Sequence, residues 1–287
     1  MSNVILGYNT NGFAHHRFED AVEILAGIGY RSVAITLDHF VLNPFDSDLR
    51  RQCVQARRLL ARRRMGSVIE TGARFLLDPS RKHHPTLMSR ALSDRVRRGK
   101  FLRRAIDAAA GLKSQAVSFW SGALQDDVTH AVAMRRLVDG CLAAVEYAAQ
   151  RGVRLAFEPE PGMYVSRMEQ FDELLDRVDH PLFGLTLDIG HLHCLDDGPI
   201  PDVIGRWKDR LFNIHIEDMR RGVHDHLMFG EGEINFGPVL AKLQAIGYAG
   251  GVHVELSRHS HDAVAVARRA FEFLNQAAKG ASCRFER

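Results

Sequence analysis

The sequence predicts a single (β/α)8 barrel, the TIM-barrel class of α/β folds, from three observations. Its 287 residues are the usual size for one barrel of eight strand–helix units. Short continuous apolar runs alternate with segments of helical period, as expected for a parallel sheet buried on both faces. Hydrophobic residues make up 46% of the chain, enough for a sizeable core. We expect the barrel domain to span 1–279 and a frayed tail to follow at 280–287.

The first half of the chain supplies four predicted strand–helix units. In the first helix, apolar residues recur at helical spacing from Phe18 to Ile28 and stop at Gly29. The irregular segment 72–87 contains two prolines and predicts a long loop over the catalytic face, which Trp120 would help to wall. The predicted strands and helices, in pairs, are 4–9 with 18–28, 32–37 with 46–64, 67–70 with 88–111, and 116–120 with 126–151.

The second half continues the alternation. Its predicted strands end at Phe157, Leu187, Ile216 and Glu255, and its predicted helices span 166–177, 201–206, 236–246 and 262–278. Between the seventh strand and its helix, residues 218–233 are rich in glycine and histidine and contain Gly230-Glu-Gly. This segment is predicted as a loop.

Four residues that can bind a divalent metal stand at the ends of the last four strands: Glu158, Asp188, His215 and Glu255. Successive members are separated by 30, 27 and 40 residues, about one strand–helix unit each. Because a parallel barrel brings the carboxyl ends of its strands to one face, we expect the four side chains to converge. Three carboxylates and one imidazole suit Mn²⁺, Mg²⁺, Co²⁺ or Zn²⁺. The sequence therefore predicts one metal site at this face.

Charge and composition exclude several other classes of protein. The formal net charge is +3, and the arginine-rich helices around 57–64 and 95–104 are interpreted as solvated outer faces. Nucleic-acid binding is not expected, because no aromatic residues interleave with these arginines. Neither GxGxxG at a strand–helix turn nor GxxxxGK[ST] occurs, so these motifs give no support for nucleotide binding.

The compartment is predicted to be the cytoplasm. No apolar run approaches the ~20 residues that span a bilayer, and the first residues do not resemble a signal peptide. The four cysteines are widely scattered and predict reduced thiols. A small-molecule substrate is expected as the partner, with a homo-oligomer left open.

Several motifs resemble the xylose-isomerase-like superfamily of TIM barrels, which includes sugar (phosphate) isomerases and epimerases and the apurinic endonucleases. The resemblance covers essentially 4–278. The motifs are Phe157-Glu-Pro-Glu, Leu185-Thr-Leu-Asp-Ile-Gly-His, Asn213-Ile-His-Ile-Glu-Asp, Phe229-Gly-Glu-Gly-Glu-Ile-Asn-Phe and Gly247-Tyr-Ala-Gly-Gly-Val-His-Val-Glu.

The resemblance implies that Glu158, Asp188, His215 and Glu255 bind one divalent metal, with Mn²⁺ as the first choice. It also implies that Glu158 and Glu255 move protons on opposite faces of a sugar. Substrate-binding roles are implied for His191, Arg221 and His226, with Arg220 as an alternative to Arg221. Glu160 stands where many relatives have His or Asn, and it is a further candidate for binding a substrate hydroxyl or for capping the loop.

The resulting hypothesis is a metal-dependent isomerase or epimerase of a small sugar or polyol-like carbonyl compound. A carboxylate would abstract a proton next to the carbonyl, and the metal would stabilise the enediolate. A lyase or dehydratase that expels a β-substituent is the nearest alternative, and a non-catalytic binding barrel is another.

An apurinic-endonuclease-like phosphodiesterase is a further alternative that the motifs support less. The resemblance to that branch requires histidines after strands three and four, where this chain has Glu70-Thr71 and Trp120-Ser121. It also requires Asp-x-His before Gly-Glu-Gly, where this chain has His224-Asp-His226. A three-metal cluster is therefore predicted to be incomplete.

Overall fold

A computed structural model of the chain describes residues 4–72, 74–281 and 283–286. Residues 1–3 and 73 of the predicted barrel domain, and 282 and 287 of the predicted tail, lie outside the described residues. The strands are β1 Ile5–Asn9, β2 Ser32–Thr36, β3 Gly66–Glu70, β4 Ala116–Phe119, β5 Arg154–Phe157, β6 Phe183–Asp188, β7 Leu211–Ile216, β8 Asp218–Arg220, β9 Val223–Leu227 and β10 Gly251–Val254.

The α-helices lie between and after these strands. They are α1 Phe18–Ile28, α2 Leu49–Arg62, α3 Leu92–Leu112, α4 His130–Ala149, α5 Met168–Val178, α6 Ile189–Leu195, α7 Ile200–Trp207, α8 Phe236–Ala245 and α9 Ala263–Gly280. Short 3₁₀ helices at Thr10–Phe13 and Ser257–Asp262 follow β1 and β10. None of the helices in the described ranges combines the length and apolarity that a membrane span needs.

Eight parallel strands close into a barrel in the order β1-β10-β7-β6-β5-β4-β3-β2. This topology confirms the predicted (β/α)8 class. Helical or loop structure follows each barrel strand except β7. After β7, the strands β8 and β9 form an antiparallel hairpin outside the barrel.

A buried polar layer crosses the barrel interior and joins its two halves. His253 on β10 contacts the hydroxyl of Ser32 on β2 through Nε2 at 2.8 Å. Its Nδ1 lies 2.9 Å from the side-chain oxygen of Asn213 on β7. Because these groups satisfy one another, they can be buried at little cost in unpaired polar atoms.

Local hydrogen bonds explain why three helices begin later than predicted. Before α2, the Asp46 carboxylate accepts the backbone N–H of Asp48, which favours a turn over helix. Before α3, the hydroxyl of Thr86 accepts the N–H of Met88. Before α4, Val128 donates its N–H to the carbonyl of Asp126 in another turn. Helix periodicity alone does not reveal such competing bonds.

Two segments differ from prediction in kind. Helix α6 was not predicted, and it begins directly after β6 because the Asp188 side chain caps it by accepting the N–H of His191 at 2.8 Å. The expected frayed tail is wrong for 283–286. Val4 donates to the carbonyl of Arg284, and Glu286 donates to the carbonyl of Val4, each at 2.9 Å. The chain end therefore pairs beside β1.

The arginine-rich stretch 95–104 is not wholly a solvated face. Arg98 is buried, lies over the rings of Phe101 and Trp120 at 5.1 and 5.2 Å, and donates to the carbonyl of Thr71. Burial lowers the pKa of this guanidinium to about 10. Arg98 thus supports the residues that wall the mouth of the barrel.

Candidate active site

Four neighbouring strands deliver the predicted metal ligands to one point. Glu158 follows β5, Asp188 ends β6, His215 lies near the end of β7 and Glu255 follows β10. Asp188 and His215 are paired in register across β6 and β7. The candidate ligand atoms of all four side chains lie within 4.8 Å of one another. The structure therefore brings together residues that lie up to 97 positions apart in the sequence.

The distances within this group fit a shared ion. His215 Nδ1 lies 3.0 Å from Glu158 Oε1, 3.0 Å from Glu255 Oε2 and 3.9 Å from Asp188 Oδ2. Ligand atoms about 2.1 Å from a metal and at right angles to each other are about 3.0 Å apart. Asp188 Oδ2 is buried next to the likewise buried carboxyl group of Glu217, and a cation would offset the cost of burying its charge. The residues present thus fit a divalent ion.

His215 is oriented by a carboxylate that the sequence did not assign to the site. Glu70, the last residue of β3, lies 2.9 Å from His215 Nε2 and accepts an N–H of Asn213 at 3.1 Å. With Nε2–H donated to Glu70, the other ring nitrogen faces the carboxylate group. A carboxylate behind a histidine ligand fixes its tautomer and ring orientation in metal sites. The available signal was that Glu70 also ends a strand.

The two glutamates of the group have opposite electrostatic environments. Burial, followed by the charges of Glu255 and Asp188, raises the pKa of Glu158 to about 8. Burial also acts to raise the pKa of Glu255, but the charge and hydrogen bond of His215 outweigh it, and the pKa is lowered. The side-chain amide of Asn11 donates to Glu255 Oε1 at 2.7 Å and favours the same ionised form. A cation bound between the two carboxylates would favour the ionised form of both.

His215 itself is held in its charged form when only the protein surrounds it. Burial acts to lower its pKa, but the carboxylates of Glu158, Glu70 and Glu255 raise it well above its usual value. A proton on Nδ1 then occupies the position that faces the other ligands. A bound cation would replace that proton, so metal binding is expected to release it.

Glu217 and Gly190 pack behind Asp188. Glu217 is fully buried, and burial followed by the charge of Asp188 raises its pKa well above the usual value. A Cβ at Gly190 would collide with Glu217 Oε1, so only glycine fits at that place on α6. This contact explains the glycine of the Asp188-Ile-Gly-His191 motif by packing.

Three histidines form a second group beside the first: His191, His224 and His226. The Nε2 atoms of His191 and His224 are 3.1 Å apart, and the His226 ring lies 6.0 and 5.3 Å from the other two ring centres. Their candidate ligand atoms also lie within 4.8 Å of one another. Burial lowers the pKa of His191 to about 4, so this ring is neutral near pH 7. We name this group the histidine cluster.

The Gly230-Glu-Gly motif has a structural explanation. The buried carboxylate of Asp218 accepts the backbone N–H groups of Gly230, Gly232 and Ile234 at 2.8, 3.0 and 3.1 Å. A Cβ at Gly232 would collide with that carboxylate. Asp218 thereby ties residues 230–234 to the hairpin that carries His224 and His226.

A cavity of about 550 Å³ opens above the metal-ligand group. Six of the eight predicted site residues line it: Glu158, Glu160, His191, His215, His226 and Glu255. Residues of the first half complete its wall: Asn9, Asn11, Thr36, Glu70, Gly72, Arg74, Lys82, His83 and Trp120. His224, Ser257 and Arg258 line the remaining side. Asp188 does not line the cavity, but its carboxylate lies 3.9 Å from Nδ1 of His215, which does.

Arg221 lies outside the cavity, contrary to the expectation that it binds substrate. Pairing of Arg220 with Val223 places Arg221 and Gly222 at the tip of the β8–β9 hairpin. Its guanidinium pairs with Asp196, and its side chain is 60% exposed. The rival Arg220 donates to the carbonyl of Glu231 on the exposed side. A hairpin that was predicted as a loop accounts for the difference.

Comparison with known proteins identifies the family of this chain. A sequence profile of the xylose isomerase-like TIM barrel family matches residues 22–277. A curated relative, inosose dehydratase from Lactiplantibacillus plantarum, is 30% identical over 127 residues, which cover 38% of this chain and 42% of that protein. The chain thus matches less than half the length of that relative.

Solved structures share the fold. An L-ribulose 3-epimerase superposes with a TM-score of 0.76 at 18% identity, covering 98% of this chain and 96% of the other. A probable 3-DHS dehydratase from Bacillus anthracis superposes with a TM-score of 0.74 at 15% identity, covering 96% and 99%. These relatives are enzymes of two kinds, epimerases and dehydratases. The profile match over most of the chain shows that this protein belongs to the xylose isomerase-like TIM barrel family.

Proposed function

We propose that this protein is a divalent-metal-dependent isomerase or epimerase of a small sugar or polyol-like carbonyl compound. The observation that supports this most is the convergence of Glu158, Asp188, His215 and Glu255 below an open cavity. Three carboxylates and an imidazole favour hard or borderline ions, with Mn²⁺ as the first choice and Mg²⁺, Co²⁺ or Zn²⁺ as alternatives. When bound, the ion would polarise the substrate carbonyl and stabilise the negative charge that develops as a proton leaves.

The protein's own carboxylates would move the proton. One of the two glutamates, Glu158 or Glu255, would accept the proton from the carbon next to the carbonyl, and the other would return a proton to the substrate. Both lie against His215, each with an oxygen 3.0 Å from its Nδ1 atom. Positioned carboxyl groups can serve as the base and the acid of such a proton transfer. Both side chains line the cavity, within reach of one small molecule.

Substrate hydroxyls would be bound by residues around the ligand group. His191 and His226 are proposed to contact substrate oxygens from the histidine cluster. Glu160 lies in the same wall, and burial followed by the charge of Glu158 raises its pKa well above the usual value. A neutral Glu160 can donate a hydrogen bond to a hydroxyl as well as accept one. Trp120 would exclude water from one side.

The test is exchange of solvent deuterium into substrate carbon. Purified protein loaded with Mn²⁺ would be incubated in D₂O with a panel of ketoses and their acids and phosphates. We expect deuterium next to the carbonyl of at least one compound, lost in Glu158→Gln and Glu255→Gln and retained in Glu146→Gln on the outer face of α4. Absence of exchange from every compound, with metal bound, would reject the proposal.

A dehydratase is the second candidate, and the named curated relative favours it. The same proton abstraction would generate the same enediolate. This enediolate would lose its β-hydroxyl group as water instead of being reprotonated. The deuterium experiment separates the two outcomes when products are also identified by mass. Loss of water with an unsaturated product selects the dehydratase, and an isomeric product of unchanged mass, apart from deuterium, selects the isomerase.

The phosphodiesterase alternative has less support from the site. At the ends of β3 and β4, the cavity is lined by Glu70 and Trp120, where the resemblance to the endonucleases requires histidines. The proposed site would also hold one metal ion, whereas the endonuclease resemblance requires a three-metal cluster. Incision of an abasic oligonucleotide together with several tightly bound metals per chain would instead support that alternative.

A further inference from the structure

The wall of the cavity formed by the 72–87 loop carries two cations, Arg74 and Lys82. Within the described part of the chain, neither side chain forms an ion pair. Arg74 donates a hydrogen bond of 3.3 Å to the backbone carbonyl of Asn11. Their neighbours differ, because Arg81 pairs with Asp78 at 2.8 Å and Arg258 across the cavity pairs with Asp225. Two cations at a cavity wall thus keep their charge available.

Contacts of Asp78 and His83 hold residues 78–83 of this loop in place. The ring of His83 contacts the carbonyl of Gly72 through Nδ1 and packs edge-on against Trp120 at 5.3 Å between ring centres. Asp78 accepts the backbone N–H groups of Ser80 and Arg81 at 2.9 and 3.1 Å. These contacts therefore hold the backbone on both sides of Lys82.

Three cationic side chains act on the ring of His83 at this wall. Burial, followed by the charge of Lys82, lowers the pKa of His83 to about 4, and Arg98 and Arg74 act in the same direction. The floor of the cavity, by contrast, holds the carboxylates that would bind the metal. The cavity is thus lined by carboxylates and by cations that form no ion pair, and its volume of about 550 Å³ suits one small molecule.

We propose that the substrate carries an oxyanion, a phosphate or a carboxylate, which Arg74 and Lys82 bind while its carbonyl end faces the metal-ligand group. Cations that form no ion pair with the protein lose little on binding such a group, and charge-assisted hydrogen bonds to oxyanions are among the stronger ones available. Arg74 and Lys82 would then determine substrate specificity. The inference deepens the proposed function and rests on it for the reaction, but oxyanion binding can be measured without turnover.

The binding experiment uses the full chain loaded with Mg²⁺ and titrated calorimetrically with inorganic phosphate and, separately, with acetate. We expect Lys82→Met and Arg74→Met each to weaken oxyanion binding by about tenfold. Lys82→Arg, which keeps the charge, should restore most of the affinity. The matched control is Lys208→Met, which removes an exposed cation just before β7, at the opposite end of the barrel. Circular dichroism would establish that each variant is folded.

The kinetic arm compares a neutral ketose with its terminal phosphate and with the corresponding keto acid. We expect an anionic member to have the highest kcat/KM, and Lys82→Met to raise the KM of that anionic substrate more than it raises the KM of the neutral ketose. The phosphate and carboxylate arms identify which oxyanion is used. Equal oxyanion binding by wild type, Lys82→Met and Arg74→Met would overturn the inference. If the two variants lose oxyanion binding but wild type exchanges deuterium into no compound, the proposed function is rejected and the inference stands.

Discussion

The two halves of the barrel contribute to the candidate site in different ways. The second half, from β5 to β10, supplies all four metal-type ligands from equivalent places at strand ends. The first half supplies Glu70, which orients His215, and the loop that carries Arg74 and Lys82. The second half would therefore perform the chemistry, and the first half would position and select. Substitutions in each half should separate these roles.

The largest effect is expected in the second half, at the two glutamates. Glu158→Gln and Glu255→Gln keep the side-chain size but remove the proton-transfer group, so turnover should fall by roughly 10²–10⁴-fold. Turnover is measured by deuterium exchange into the substrate at saturating metal. Glu146→Gln is the control on an outer helix. Turnover within about threefold of wild type in either site variant would contradict the division of roles, given the ~10²-fold minimum for acid–base loss.

The next effect is expected in the first half, at Glu70. Glu70→Gln removes the carboxylate that faces His215 Nε2 at 2.9 Å, so the ring would be less firmly oriented. We expect metal affinity to fall by about 10–100-fold, because loss of an outer carboxylate has that effect in other metal sites. Equilibrium dialysis with Mn²⁺ measures the affinity. An unchanged affinity would show that the first half does not support the metal ligands.

The polar layer between the halves predicts a dependence of stability on pH. Burial, followed by the charge of His215, lowers the pKa of His253 from 6.5 to about 3 in the folded protein. Below pH 6.5 His253 therefore binds a proton in the unfolded chain but not in the folded one. The free energy of unfolding decreases as the pH is lowered from about 6.5 to about 3. Between pH 7 and pH 5 this one group should cost about 2 kcal/mol of unfolding free energy.

Urea unfolding at pH 7 and pH 5 tests this pH dependence. The His253→Gln variant lacks the titrating ring, so its loss of stability between the two pH values should be smaller than that of wild type by about 2 kcal/mol. An identical loss in both proteins would show that His253 takes up its proton in the folded state. The hydrogen bonds to Ser32 and Asn213 would then not hold the ring neutral.

The smallest effect is expected at Arg221. Arg221→Met removes an exposed ion pair with Asp196 outside the cavity, and such pairs contribute roughly 0–1 kcal/mol. KM and kcat for the substrate identified by deuterium exchange should both stay within about threefold of wild type, consistent with the loss of so small a contact. A large rise in KM would mean that the hairpin tip moves onto the substrate when it binds.

Sequence periodicity could predict the second half of the site because its geometry repeats. Glu158, Asp188, His215 and Glu255 each close an apolar run, and parallel strands bring such positions to one face whatever the loops do. The register of Asp188 with His215 follows from the same repetition. The fold class was predictable for this reason as well.

The rest of the site depends on contacts that no spacing encodes. Glu70 ends a strand like the four ligands, but its role follows from a hydrogen bond to a ring on β7, 145 residues away. Lys82 reaches the cavity through the course of an irregular loop. The role of Arg221 was implied by the family resemblance, and a hairpin that was predicted as a loop places this residue outside the cavity. Such features become visible only when the backbone path is known.

The most direct test of the central claim is the number and location of bound Mn²⁺ ions. Equilibrium dialysis followed by metal analysis should give one ion per chain for wild type. Asp188→Asn keeps an oxygen to cap α6 but removes the charge, so it should lose the ion, whereas Glu146→Gln should retain it. Wild type without an ion, an unchanged affinity in Asp188→Asn, or a second ion held by the histidine cluster would contradict a single ion shared by Glu158, Asp188, His215 and Glu255.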